Sequence, residues 1–144
     1  MVDGNPQRRP SDRPSRQQAA PAPAIAQPAP SLRLELNALQ SSEAGCRVSV
    51  LASNGLGTDL ERAVFEVALF GAGGAIDRLV SLDFKAMPDG KTRVMQFDIP
   101  GLDCAAVTRA LVNDVTQCDG VGLDPPTCLR ALVVASPSGV AFGV

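Results

Sequence analysis

Short segments in which apolar and polar residues alternate recur along the chain from residue 31 onward. In the first of them, Leu32, Leu34 and Leu36 alternate with charged or amide side chains, and residues 94–99 repeat the pattern. Because side chains point to opposite faces at successive positions of an extended strand, each such segment has one apolar face. The pattern therefore predicts strands, and no segment shows the longer period of an amphipathic helix over more than a few residues.

Glycine, proline and aspartate separate these segments and predict turns, as in residues 54–59 and 87–91. One helix is expected from Pro125 to Leu132, since Asp124 can cap its first turn and proline favours the first helical position. Strands with little helix between them are typical of an all-β fold. We predict an immunoglobulin-like antiparallel β-sandwich of about seven strands over residues 31–144. The predicted strands cover residues 32–37, 46–52, 63–70, 76–84, 94–99 and 107–116, with one or two more over 133–142.

The segment 63–70 is apolar on both faces, because Val64, Ala68 and Phe70 stand between the inward positions of the alternating set. Such a strand is typically central in its sheet and covered on both sides. We therefore expect both faces of this segment to be buried.

Residues 1–30 have a different composition and contain seven of the twelve prolines together with four arginines. Because so few apolar side chains offset the entropy of ordering, this stretch is predicted to be a disordered tail. Residues 24–26 match the Ala-x-Ala cleavage pattern of a secretory signal, but no apolar segment precedes them. One hypothesis is that the gene model has lost the true leader; the other is that a repetitive Ala-Pro tract produces the match by chance.

Four cysteines allow three disulfide pairings. A pair Cys118–Cys128 across a short Gly-containing loop, with Cys46–Cys104 as the second, is the favoured arrangement. Free thiols remain the alternative for a cytosolic protein, whereas zinc is disfavoured because no Cys-x-x-Cys pair occurs. We expect two disulfides and hence an oxidising compartment.

The residue types that are missing restrict the chemistry. The chain has no His, no Trp and no Tyr. It therefore lacks imidazole-based nucleophile activation, imidazole metal ligands and the strongest aromatic platforms for bases or sugars. A formal net charge of -2 argues against nucleic acid as a partner, and no apolar run reaches the length of a membrane span. We predict no cofactor, no metal and no catalytic residue.

Carboxylates are the only plentiful reactive side chains, so a carboxylate-based or metal-assisted enzyme is the alternative to a binding module. Most of them stand beside predicted turns, where aspartate commonly caps backbone amides. Calcium would require several converging oxygen ligands, and the acids of residues 114–124 do not follow the EF-hand spacing. The acids considered are Asp83, Asp98, Asp103, Asp114, Asp119 and Asp124.

Asn113 and Asp114 form a polar pair inside an otherwise apolar strand. Strict alternation would place Val112 with Asp114 on one face and Asn113 on the other. At least one polar group would then face the interior or a sheet edge. An edge charge that discourages aggregation explains the pair most simply; the functional alternative is an edge that binds a partner.

The runs LRLELNALQ, CRVSV, NGLGTDLERAVFEVALF, LDFKAMPDGKTRVMQFDIPGLDC and RALVNDVTQC resemble small exported bacterial proteins described as Tat pathway signal sequence domain proteins. The resemblance covers nearly all of residues 32–132. It implies export to the periplasm and oxidised cysteines, and it transfers no catalytic residue. The pattern is also similar, in a generic way, to immunoglobulin-like accessory domains of bacterial envelope proteins.

These observations favour an exported, non-enzymatic interaction or accessory module of the periplasm whose protein partner binds at a sheet edge or face. A purely structural domain that associates with a second copy of itself is a further possibility.

Overall fold

The structure, a computed structural model, describes residues 29–144. The predicted tail and its signal-like residues therefore lie outside the described part of the chain, apart from residues 29 and 30. Eight strands and one α-helix follow one another in the described residues. Their bounds are β1 Ser31–Ser41, β2 Gly45–Gly55, β3 Leu60–Phe70, β4 Ile76–Met87, β5 Thr92–Pro100, β6 Arg109–Asp119, α1 Pro125–Ala131, β7 Leu132–Ala135 and β8 Ala141–Gly143.

The strands form two four-stranded sheets that pack face to face. The first sheet has the order β5-β2-β1-β7 and the second has the order β4-β3-β6-β8. The predicted all-β sandwich with one short helix is confirmed. The eight strands agree with the predicted six and the one or two more near the C-terminus, whereas the short strands β7 and β8 run parallel to β1 and β6 and so depart from a purely antiparallel sandwich.

The core lies between the sheets and is built by the inward positions of the alternating segments. Leu32, Leu34 and Leu36 are each no more than 3% exposed. Full burial of one such side chain contributes roughly 1.5–3 kcal/mol relative to its exposed state. On the second sheet Phe65 packs edge-to-face on Phe84, with ring centroids 5.0 Å apart.

Strand β3 is central in its sheet, as predicted, because it pairs with β4 and β6. Both faces of residues 63–70 are largely buried, as expected, but the sandwich has two layers, so no further layer of the described chain covers the outer one. Val64 and Ala68 are buried there by neighbouring side chains of the same sheet, while Phe70 is half-buried. The second sheet therefore has an apolar outer face.

Two disulfides join Cys46 to Cys104 and Cys118 to Cys128, which confirms the favoured pairing. The first bridge lies near the end of the sandwich where β2 begins and β5 ends, and the second lies near the opposite end, where β6 ends and α1 lies against it. All four cysteines are therefore oxidised, which is typical of proteins in oxidising compartments.

Asn54, predicted as a turn residue, is instead a strand residue of β2 that is only 1% exposed. Its side-chain amide donates to the carbonyl oxygens of Thr58 at 3.0 Å and Met87 at 2.8 Å. Its Oδ1 accepts the backbone N–H of Leu56 at 2.9 Å. One buried amide thus joins the end of β2, the following loop and the end of β4 across the two sheets, and every polar atom of that amide has a partner.

The helix α1 begins as predicted. Asp124 accepts the backbone N–H of Thr127 at 2.8 Å, and two prolines occupy the first turn. Hydrogen bonds from Thr127 lower the pKa of the Asp124 carboxyl, because they stabilise its charged form.

Asn54→Ala is expected to lower the free energy of unfolding by about 2–4 kcal/mol, because two carbonyls and one N–H lose a buried partner. Urea unfolding of the variant measures the change. Ser53→Ala is the matched control, since Ser53 contacts only Thr92 Oγ1 at the exposed surface, 2.8 Å away. Equal losses for the two variants would contradict the structural role of Asn54.

Removing each disulfide by paired Cys→Ala substitutions should destabilise the domain unequally. The bridge Cys46–Cys104 spans 58 residues and Cys118–Cys128 spans 10. Loop-closure entropy then gives about 4 kcal/mol for the long bridge and about 3 kcal/mol for the short one. Urea unfolding of the two double variants compares them, and a larger loss for the short bridge would contradict the entropic account.

Candidate functional site

Asn113 and Asp114 are both exposed, so strict alternation fails at this point of β6. Val112 and Val115 both point inward, at 3% and 2% exposure. The two residues between them therefore project to the outer side. The cause is a β-bulge: the register with β3 shifts beside Glu66, and β6 carries one extra residue there.

The polar pair makes contacts within its own sheet. Asn113 Nδ2 donates to Glu66 Oε1 at 2.8 Å, and Asp114 Oδ1 accepts the Val115 N–H at 2.9 Å. Strand β8 pairs with β6 only over residues 109–111. In the described chain, the pair therefore lies where β6 is a sheet edge, as expected for an edge charge.

The other carboxylates considered as reactive groups bond backbone amides, arginines or, for Asp119, the side-chain amide of Gln117 at 2.6 Å. Asp98 contacts Arg47 at 2.9 Å, and Asp103 caps the Ala105 N–H at 3.0 Å. Asp83 accepts hydrogen bonds from Arg62 and from the Lys85 N–H, which lower its pKa to about 2. Within residues 29–144, no group of three or more Cys, Asp or Glu side chains is arranged to hold a metal ion.

The four sheet edges are protected to different degrees. Strands β7 and β8 are only 4 and 3 residues long, and short edge strands are poor templates for pairing. Strand β4 is irregular: Lys85 has a φ of 59° and its register with β3 shifts three times. Bulges and lysines of this kind discourage pairing with another chain.

Strand β5 lacks these devices. Its register with β2 runs without a shift over nine residue pairs. The backbone N–H of Asn54 donates to Lys91 O at 3.0 Å. Because hydrogen-bonded pairs alternate along an antiparallel ladder, the odd-numbered residues of β5 bond to β2 and the even-numbered ones direct their N–H and C=O groups outward. These outward residues are Thr92, Val94, Gln96 and Asp98.

A groove lined by both apolar and polar side chains lies beside this edge, on the side of the sandwich where β4 and β5 face each other. We call it the β4–β5 groove, and its volume is about 460 Å³. Val80 and Phe97 line it and are only half-buried, although both point toward the core. Further lining residues include Leu82, Gln96, Asp98 and Ile99.

Two arginines bridge the sheets on either side of the groove. Arg78 of β4 donates to the Pro100 carbonyl of β5 at 2.8 Å. Arg93 of β5 donates to the Ala86 carbonyl of β4. Arg78 and Arg93 thus close the groove at its two ends along the strands. In the described chain nothing covers the side of the groove between these ends, nor the β5 edge beside it. Sequence reasoning missed this site. The available signal was the segment 92–100, which lies between two turns and contains no lysine that would protect a sheet edge.

The chain matches no protein-family model, no curated protein and no solved structure. The resemblance to exported bacterial proteins therefore stays a prediction, and the site is interpreted from its own geometry. No helix in residues 29–144 has the length and apolar character needed to cross a membrane.

The ion pair at Asp83 should make stability depend on pH. Its folded-state pKa of about 2 lies below the ordinary aspartate pKa of 3.8. The ionised group therefore stabilises the fold above about pH 4, and this contribution is lost as the pH falls toward 2. The difference in unfolding free energy between wild type and Asp83→Asn, measured in urea, should shrink over this range. A constant difference would contradict the assignment.

Proposed function

We propose that the protein is an exported, non-enzymatic interaction module of the bacterial periplasm that binds an extended segment of a partner protein along the edge of β5. The bound segment adds a strand to the first sheet. The β5 edge supplies main-chain hydrogen bonds, and the β4–β5 groove supplies the apolar contacts that select the segment.

The compartment is supported by the two disulfides. Together the two bridges use all four cysteines. Disulfides persist in oxidising compartments and are rare in the cytosol. The resemblance of residues 32–132 to exported proteins points in the same direction.

The binding role is carried by one observation: β5 is a regular nine-residue edge strand beside an open groove whose apolar lining includes Val80 and Phe97. Regular edges of this length invite pairing with another chain, and proteins normally block them. The same molecule shortens or bends its other three edges. Leaving β5 regular is consistent with an edge that is used.

The groove indicates the kind of segment that fits. Side chains of an added strand alternate between the two faces of the sheet, so every second one points toward the groove. Val80, Leu82 and Phe97 present apolar surface there. The expected ligand is therefore an extended segment in which apolar residues occupy alternate positions, with polar residues between them.

Two other candidates have less support. The bulge at Asn113 and Asp114 interrupts the regular ladder, so this part of β6 is a poorer template than β5. A carboxylate-based enzyme requires two carboxyl groups in different environments at one site, whereas the acids with described contacts bond a backbone amide, an arginine or a side-chain amide.

The proposal is tested with Gln96→Pro. Gln96 directs its backbone N–H outward, so proline removes an edge donor without removing a backbone hydrogen bond to β2. The side-chain hydrogen bond from Gln96 Nε2 to Ser49 Oγ of β2, 3.1 Å long, is lost in this variant and equally in its alanine control. Peptides selected from a displayed library should carry alternating apolar residues, and the substitution should weaken their binding at least about tenfold, a loss of about 1.4 kcal/mol. Calorimetry with one selected peptide measures the change.

Gln96→Ala is the matched control, because it removes the same side chain and keeps the N–H. It should bind the peptide nearly as well as the wild type. Hydrogen exchange gives an independent readout: the amides of Thr92, Val94, Gln96 and Asp98 should exchange more slowly when the peptide is bound. Unchanged binding by Gln96→Pro, or protection confined to another edge, would refute the proposal.

A further inference from the structure

The outer face of the second sheet carries an apolar row that crosses three adjacent strands. Leu79 of β4, Ala68 of β3 and Leu111 of β6 are direct neighbours in register. Leu79 is 52% exposed, and beside the row Ile76 is 60% exposed. Leu111 is half-buried and Ala68 is only 2% exposed, so Leu79 and Ile76 supply most of the exposed apolar surface. Exposed apolar side chains close together on a sheet face are typical of a surface that meets another protein.

The row lies between a basic residue on one side and two acidic residues on the other, measured along the strand direction. On one side Arg109 lies over the Phe70 ring, with its guanidinium carbon 4.8 Å from the ring centre. On the other side Glu66 and Asp114 stand directly opposite each other. Like charges in such a cross-strand pair repel each other.

These charges have no salt-bridge partner within residues 29–144. Arg109 and Asp114 are also too far apart to pair with each other in one molecule, since two strand repeats separate them, about 13 Å along β6. The face thus presents one cation on one side of an apolar strip and two anions on the other, and none of them forms a salt bridge in the described chain.

We propose that this face binds a second copy of the chain, with a two-fold axis running along the row of Leu79, Ala68 and Leu111. Such an axis brings the same face of both copies together and reverses the strand direction. Leu111 then lies over Leu111 of the second copy, and Leu79 over its own equivalent.

The same operation places the Arg109 side of one copy on the acidic side of the other. Each Arg109 meets Glu66 and Asp114 of the second copy, and the contact occurs twice. Along β6 a positive charge, an apolar strip and a negative charge follow one another, and this order is complementary to itself when a second copy is reversed. The face therefore favours a second copy over an unrelated protein. The contact would also cover the outer face of β3, whose sequence is apolar on both sides.

This inference does not rest on the binding role of β5, because the β5 edge belongs to the other sheet. The two can fail separately: Gln96→Pro should leave the self-association unchanged.

Charge reversal tests the pairing. Arg109→Glu alone places like charges opposite each other at both contacts, and Asp114→Lys alone does the same. Each should weaken dimerisation of the full chain about tenfold or more, as measured by sedimentation velocity over a range of concentrations. An equimolar mixture of the two variants should associate again, since the mixed pair restores opposite charges at both contacts.

Leu79→Glu tests the apolar strip and should abolish the dimer. Val133→Glu is its matched control, because Val133 is 44% exposed on the outer face of the first sheet, and it should leave the dimer intact. Thermal unfolding confirms that each variant is folded. A wild-type chain that sediments as a monomer at all concentrations, dimers indifferent to the reversals, or a mixture that stays monomeric would overturn the proposal.

Discussion

The structure depends on the contact between the inner faces of its two sheets. Each sheet alone has one apolar face that water would cover, and only the other sheet is available to bury it. The aromatic side chains Phe65, Phe84 and Phe97 extend this contact toward the β4 and β5 side, where Phe84 lies 5.1 Å from the ring of Phe97. Because Phe97 is only half-buried, the core reaches the surface at the β4–β5 groove.

A two-layer arrangement necessarily leaves two outer faces and four sheet edges, and this chain treats them differently. Three edges are short or irregular, while β5 is regular. One outer face carries serine, threonine and charged residues with single exposed apolar side chains such as Val94 and Val133, while the other carries the apolar row between opposite charges. An edge and a face on different sheets can be occupied at the same time, so binding to a partner segment and association of two copies are compatible.

Much of the fold could be predicted from the sequence, because alternation and turn residues act locally. The strands around Leu32–Leu36 and Phe97, the cap at Asp124 and the pairing of Cys118 with Cys128 are all visible in short windows. The failures have a common cause: they depend on how strands meet. The bulge at Asn113 is defined by the register between β6 and β3, which only the paired strands show. The side-chain amide of Asn54 donates to carbonyl groups 4 and 33 residues away along the chain.

The candidate site was less predictable for the same reason. That β5 is an edge, and that Val80 and Phe97 face one groove, follows from the order of strands in two sheets, which no local pattern encodes. The apolar outer positions of β3 were visible as Val64, Ala68 and Phe70, but the sequence could not show that neighbouring side chains of the same sheet, rather than a third layer, bury them.

The placement of the two sulfur bridges also affects how the molecule withstands proteases. The loop that carries Val121, which is 83% exposed, lies between Cys118 and Cys128, and exposed loops of this kind are the usual sites of cleavage. A cut there, or anywhere between residues 46 and 104, leaves the two fragments covalently attached to each other. A single nick in these regions therefore does not release a fragment, and the severed strands remain close enough to hold their places in the sheets.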